Sequence, residues 1–326
     1  MTSLPFEKDR DFIVKREEPV SEEHGCRPEK REIEEYLKKG IVNVDKPPGP
    51  TSAQVSEFVK KILKIKKAGH SGTLDPGVSG VFPVGISEGT KVLNTLLSAG
   101  KEYVALMHLH ENATKNEIIN VLDEFTGKLF QRPPVRSAVN RDLRIREIYY
   151  IDLLEIKGKN VLFKVGCEAG TYIRRLCHDI GLVLGTGAHM QQLRRTKVGA
   201  FQDRNAVILQ KLTDAYHFWK EDGDEKYLRE YVLPMEAGLA HLPKIIISDS
   251  AVNSVCHGAQ LAVPGILKFE TKINKGDLVA VFTQKGEAVL YGKSKMPSKE
   301  IKSSEKGRAV ETERVLMDAD TYPKFS

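Results

Sequence analysis

Apolar positions along the chain fall into two rhythms, one of helical spacing and one of dense strand-like runs. Ile41-Val42-Asn43-Val44-Asp45 predicts a strand, which Lys46-Pro47-Pro48-Gly49-Pro50 ends because proline cannot continue a ladder. Thr51 or Ser52 caps the helix that follows, where Val55, Phe58, Val59, Ile62 and Leu63 recur at helical spacing. Tyr103–Leu109 reads as a buried strand. Thr114 and Glu117 form a capping box for a helix carrying Ile118, Ile119, Leu122 and Phe125, closed by Gly127. Residues 131–144 are basic, hold two prolines and lack a period, so they predict a long loop. Strands at about 145–156 and 160–167 then form a hairpin around Lys157-Gly158-Lys159-Asn160. Ile173, Leu176, Cys177, Ile180 and Leu184 mark the buried face of a helix with Arg174 in its first turn. A helix over 206–219 and an acidic turn at 221–225 lead to Leu242-Pro243.

Past Lys244 the pattern changes. Short strands are predicted at 245–248, 261–263, 278–283, 288–291 and 315–318, with one helix near 251–255 and a hairpin turn at Gln284-Lys285-Gly286-Glu287. This is a β-rich module of a size that folds alone. Residues 1–39 are charge-rich, end in a helix around Arg31–Lys38, and form an extension that must dock on something else.

A chain of 326 residues has room for two or three domains. Its net charge of +6 is compatible with a polyanionic partner without requiring one. The four cysteines are scattered with no Cys-x-x-Cys pair, which points to a reducing compartment rather than a disulfide or zinc framework. No signal peptide begins the chain and no apolar run reaches the ~20 residues that span a bilayer, so the expectation is an intracellular, soluble protein. Lys60, Lys61, Lys64, Lys66 and Lys67 crowd the end of the first long helix and lead into Gly69-His70, which favours RNA or DNA.

The chemistry concentrates in residues 69–83, Gly-His-Ser-Gly-Thr-Leu-Asp-Pro-Gly-Val-Ser-Gly-Val-Phe-Pro. One acid, Asp75, stands there among small and turn-forming residues. Asp-Pro-Gly is turn chemistry, with Gly77 expected to take a positive φ. Taken alone, Asp75 is a turn residue as readily as a reagent. Gly85 to Lys91 does not make a phosphate loop, because the glycine spacing is too short and Thr and Lys stand in the wrong order. Arg174 at a helix start is electrostatically unfavourable without an anion nearby, either a phosphate or a carboxylate. Tyr103 opens a strand and offers a ring on which an extruded base can stack. A lone carboxylate without metal or cofactor acts as nucleophile or proton acceptor.

Residues 69–83 resemble the catalytic motif of the TruB family of pseudouridine synthases, and Gly40–Ser52 resembles its first motif. Lys101-Glu102-Tyr103, Gly170-Thr171-Tyr172-Ile173-Arg174 and Leu193-Arg194-Arg195-Thr196 resemble the later ones, in order. Gln131–Val139 and Gly187–Met190 are similar to the archaeal and eukaryotic branch related to dyskerin, and residues 244–326 resemble a PUA domain. Phe82 and Gly89 depart from the usual Leu and Ala without touching a chemical group.

The resemblance implies an α+β fold, with a mainly antiparallel catalytic sheet over 40–243 and a PUA domain over 244–326. Residues 1–39 would add to the PUA domain, and a thumb loop would lie at about 126–146. It implies an isomerase that converts uridine in RNA to pseudouridine without cofactor or metal. Asp75 would be the catalytic carboxylate, Arg174 its partner, and Tyr103 the ring that stacks on the flipped uracil and assists proton removal from position 5. RNA contacts are implied at Leu193, Arg132, Arg136 and Arg141, while Lys46 and His70 would support the loop or hold the RNA substrate. The implied partners are a box H/ACA guide RNA, ribosomal and possibly transfer RNA substrates, and small accessory proteins, with no membrane. The compartment would be the archaeal cytoplasm, or the nucleolus in a eukaryote. A stand-alone transfer-RNA synthase and a non-catalytic RNA scaffold are the alternatives.

Overall fold

The computed structural model describes residues 3–7, 9–132 and 142–324. Most of the chain before Lys244 builds on a ten-stranded sheet. Its main path runs Val232–Pro234, Gly40–Lys46, Ser79–Ile86, Ala188–Val198, Lys101–Leu109, Asn160–Cys167, Arg144–Lys157 and Gly127–Gln131. Ala68–His70 pairs with Ser79–Ile86, and Phe201–Gln202 with Ala188–Val198. All these pairings are antiparallel except the short parallel join of Ser79 to Arg194 and Gly80 to Arg195. Only glycine fits at that join. Gly80 has φ +103°, and a Cβ there would lie 2.2 Å from the Arg195 carbonyl oxygen.

The helices form where capping and periodicity place them. Thr51 accepts from the Gln54 backbone N–H while the Gln54 side chain accepts from Thr51 N, so Ser52–Ile62 starts with a capping box; Thr114 and Glu117 do the same for Lys115–Glu124. Val55 and Val59 of the first helix are fully buried against Val42, Val44, Phe82 and Val84 of the sheet.

The second sheet has seven strands: Phe12–Val14, Ile266–Glu270, Lys244–Ile247, Leu278–Phe282, Ala288–Ser294, Arg308–Val315 and Leu261–Ala262. The N-terminal segment is therefore woven into the C-terminal sheet, with Ile13 opposite Phe269 and Arg10 paired to Glu270 at 3.0 Å. A third apolar cluster joins the two sheets, bringing Ile41, Val81, Leu96 and Val198 together with Leu239, Ile246, Phe282 and Leu316. Arg31 grips both carboxylate oxygens of Glu236 (3.0 and 2.6 Å) above it.

Several sequence expectations change. Gln131 and Arg144, the two ends of the expected loop, belong to the paired strands Gly127–Gln131 and Arg144–Lys157, and residues 133–141 between them lie outside the described residues. The helix expected over 206–219 runs Leu209–Asp222, ending where Gly223 takes φ +73°. The last strand is Arg308–Val315 rather than 315–318, because its outward positions are polar and hide the pattern. Ser79–Ile86 is a strand despite Gly80, Pro83 and Gly85. Residues 85–89 also spell Gly-x-Ser-x-Gly, with Ser87 at φ +47° after that strand. Close packing explains its glycines: a Cβ on Gly89 would lie 1.8 Å from the Gly40 oxygen. No histidine hydrogen-bonds Ser87 among the described residues.

His241 lies buried beside the shared apolar cluster, its Nε2–H donating to Thr95 O at 3.0 Å. Burial pulls this imidazole down to about 4. The unfolded chain therefore binds the proton first, and stability falls as pH drops from about 6.5 to about 4, by up to ~3 kcal/mol. Denaturant titrations at pH 7 and pH 4.5 should show a smaller pH-dependent loss in His241→Gln than in the parent chain.

Candidate active site

The loop between Ala68–His70 and Ser79–Ile86 is held from beneath. Lys46 has no exposed surface, and its ammonium donates to Pro47 O, Pro76 O and Val78 O at 3.0, 3.2 and 2.9 Å. All three of its protons are thereby used, two of them on the Asp75 turn. Ser52, at the start of the capped helix, accepts from Leu74 N (2.9 Å) and donates to Leu74 O (3.0 Å). Gly49 N donates to Pro76 O at 2.8 Å. The first motif and the Asp75 motif are thus one hydrogen-bonded unit.

Asp75 begins the expected turn, closed by Val78 N donating to Asp75 O at 3.0 Å. Gly77 does not take the positive φ expected of it; Gly72 (+105°) and Gly80 (+103°) bend the chain instead. Leu74 and Val78 are buried on either side, and the Asp75 side chain is left 62% exposed. Arg174 reaches it from the helix Ile173–Val183, Nη2 to Oδ2 at 2.9 Å, and is itself 59% exposed. The anion missing at that helix start is Asp75. An ion pair this open contributes ~0–1 kcal/mol to stability, so its value is geometric.

Tyr172, the N-cap residue of the Arg174 helix, is fixed by Gln131. The Gln131 amide accepts from Tyr172 N (2.9 Å) and donates to Tyr172 O (3.2 Å). Tyr103 is only 8% exposed, and Asp75 is near enough for its charge to act on the phenol. Burial pushes that phenol up, and Arg195 pulls it back. Arg195, opposite Tyr103 on the neighbouring strand, is 1% exposed, with Nε donating to Val81 O at 2.8 Å.

Of the other residues implied by resemblance, Lys46 supports the loop and has no proton left for RNA. His70 is half-buried, with its ring 5.1 Å from that of Phe82; burial and then Arg195 lower its pKa, which favours the neutral ring. Leu193 lies half-buried opposite Ala105. Arg132 is exposed just past the hairpin strand, while Arg136 and Arg141 lie outside the described residues. Sequence reasoning passed over Arg195 and Gln131, which stood in quoted motifs without a role, and read Ser52 only as an alternative to Thr51 for the helix cap. Among the described residues, no group of three or more His, Cys, Asp or Glu could hold a metal ion. No described helix is long and apolar enough to cross a membrane.

Comparison with known proteins decides the family. Residues 60–173 match the TruB family pseudouridylate synthase N-terminal domain and 174–240 the tRNA pseudouridylate synthase B C-terminal domain. A protein of Methanopyrus kandleri named as a probable tRNA pseudouridine synthase B is 56% identical over 98% of this chain and 95% of its own length. The chain belongs to the TruB family of pseudouridine synthases. This synthase also matches a PUA domain over 243–316 and a DKCLD domain over 2–56. Its Methanocaldococcus jannaschii relative, of the same name, is 55% identical over 97% of this chain and 94% of its own length. The family's activity makes it an RNA isomerase. Among solved structures it superposes on one of a Cbf5-Nop10-Gar1 complex with TM-score 0.95 at 54% identity, covering 99% of each chain. A second, of an H/ACA RNP bound to a substrate RNA containing 2′-deoxyuridine, gives TM-score 0.93 at 52% identity, again over 99% of each chain.

Ser52→Ala removes both bonds to Leu74 and leaves the Thr51 cap in place. It should cost ~1–3 kcal/mol of stability through two unsatisfied buried groups. It should also lower single-turnover isomerisation more than RNA binding. Thermal melts, a filter-binding titration and a single-turnover assay check the three effects.

Proposed function

We propose that this synthase is the catalytic subunit of a box H/ACA guide-RNA particle and isomerises guide-selected uridines, mainly in ribosomal RNA, with Asp75 as the catalytic carboxylate. The observation that carries this is the Asp75–Arg174 pair beside Tyr103, in a chain that superposes over 99% of its length on the corresponding chain of an H/ACA particle bound to substrate RNA. The target uridine is flipped from its stack, its glycosidic bond breaks, and the uracil turns and rejoins the sugar through position 5. Asp75 serves this as a nucleophile or as acceptor of the 2′ proton. Arg174 orients the carboxylate while leaving most of it open to substrate. Tyr103 stacks on the uracil, and Leu193 and His70 line the space around it.

The C-terminal sheet, in this reading, holds guide RNA as a PUA module, assisted by the strand Phe12–Val14. Accessory proteins of the kind seen with Cbf5 complete the particle. The second reading, a transfer-RNA synthase that works without a guide, is favoured by the names of the curated relatives. Conversion of bare transfer RNA by the isolated chain would support it, and the two activities are compatible.

Asp75→Asn should fold and bind guide RNA like the parent and lose pseudouridine formation; appreciable conversion would overturn the catalytic assignment. For the guide-binding module, deletion is a poor test, because its core is shared with the catalytic sheet. Charge reversal at the exposed Lys302, Lys306 and Arg308 is a cleaner one. It should weaken guide binding several-fold and flatten its salt dependence, with the melting temperature unchanged. Equal affinity and slope in the variant would count against the module's role.

A further inference from the structure

The interior behind the site contains more positive charge than its neighbours neutralise. Lys46, Lys101 and Arg195 are all buried, Arg195 and Lys101 on adjacent strands and Lys46 one strand further along, beyond Ser79–Ile86. Lys101 is capped by the carbonyls of Leu96, Leu97 and Ala99, and Lys46 by those of the Asp75 loop and Pro47. Arg195 is less well provided for. Its Nε has Val81 O, and Nη2 has no hydrogen-bond partner among the described residues. A buried guanidinium with a proton unpaired is costly. A glutamine or methionine would hold the two strands together at lower cost.

What faces Arg195 identifies its purpose. From Gly40–Lys46 comes Lys46, from Ala68–His70 comes His70, and from its partner strand come Lys101 and Tyr103. Burial, and after it Arg195, drives each of the first three toward its neutral form, so none balances it. Cys167, behind Tyr103, is kept a neutral thiol by burial. The Asp75 carboxylate is exposed and already engaged by Arg174. The acidic group left is the Tyr103 hydroxyl, which lies opposite Arg195 and favours its charge.

We propose that Arg195 is a positioning residue acting through Tyr103, the buried counter-ion that lets the phenol become a phenolate and accept the proton from position 5 of the rejoined uracil. This rests on the uridine isomerisation described above. Once C5 has bonded to C1′ it still carries its hydrogen, and the ring holds a C6=N1 double bond. The phenolate takes that proton. The C5–H electron pair becomes C5=C6, the C6=N1 pair moves onto N1, and N1 takes a proton from solvent. The phenol returns its proton to solvent, so the step is proton-neutral and needs no other reagent.

The test uses the full chain with guide RNA and accessory proteins, on RNA whose target uridine carries deuterium at position 5. Conversion by the parent protein is the control; its absence would refute the functional reading itself. Arg195→Gln is expected to raise the single-turnover isotope effect from near one to at least twofold, with the effect shrinking as pH rises. Placing fluorotyrosine, a more acidic phenol, at position 103 should return it toward one. Arg195→Lys, which keeps a cation but loses the bond to Val81, should give a smaller isotope effect than Arg195→Gln. Equal slowing in both variants, with no isotope effect and pH profiles parallel to the parent, would make Arg195 a structural staple and overturn the proposal. If Arg195→Gln does not fold, Arg195→Lys takes its place. Its displaced ammonium should give a smaller isotope effect that fluorotyrosine removes, and an effect that fluorotyrosine leaves unchanged would overturn the proposal equally.

Discussion

The arrangement of the site depends on one buried ammonium. Lys46 is drawn wholly out of water, and it is tolerable there because three carbonyl oxygens replace its hydration. Two of those carbonyls belong to the turn that carries Asp75, so the cation gathers the turn onto the end of the first strand. Ser52 fastens the preceding residue, Leu74, to the first helix. With its backbone held on both sides, the loop presents Asp75 outward without needing contacts from the carboxylate itself.

This division leaves the Asp75 carboxylate free. Asp75 takes no part in the core, its side chain pairs with Arg174, and that pair is open to solvent. An RNA that approaches can displace water from it without unfolding anything. Arg174 is set in turn by Tyr172, whose backbone is clamped by Gln131 at the base of the hairpin. Three distant stretches of chain thus converge on one carboxylate. The floor beneath them holds three buried basic side chains, Lys46, Lys101 and Arg195.

Much of this was legible in the sequence, for physical reasons that differ from residue to residue. Asp75 stood out because turn chemistry concentrates around it, and Arg174 because a cation at a helix start asks for an anion. The capping boxes at Thr51 and Thr114 read directly, since both partners lie within four residues. Lys46 and Arg195 did not read as interior groups, because lysine and arginine are rarely buried and only the assembled sheet supplies their surroundings. Ser79–Ile86 was hidden by Gly80, Pro83 and Gly85, residues that strands usually avoid. Those glycines are there because the Arg195 backbone and the residue 85–89 turn press against the strand, a constraint with no local trace.

Under the proposed function, this site isomerises uridines chosen by a guide RNA. The most direct measurement maps pseudouridine at nucleotide resolution in one target RNA, using the full chain and its accessory proteins with a matched guide, a register-shifted guide and no guide. Conversion is expected at the uridine each guide specifies and none in that RNA without a guide. Conversion of the same uridine under all three conditions would contradict that function, as would no conversion with the matched guide.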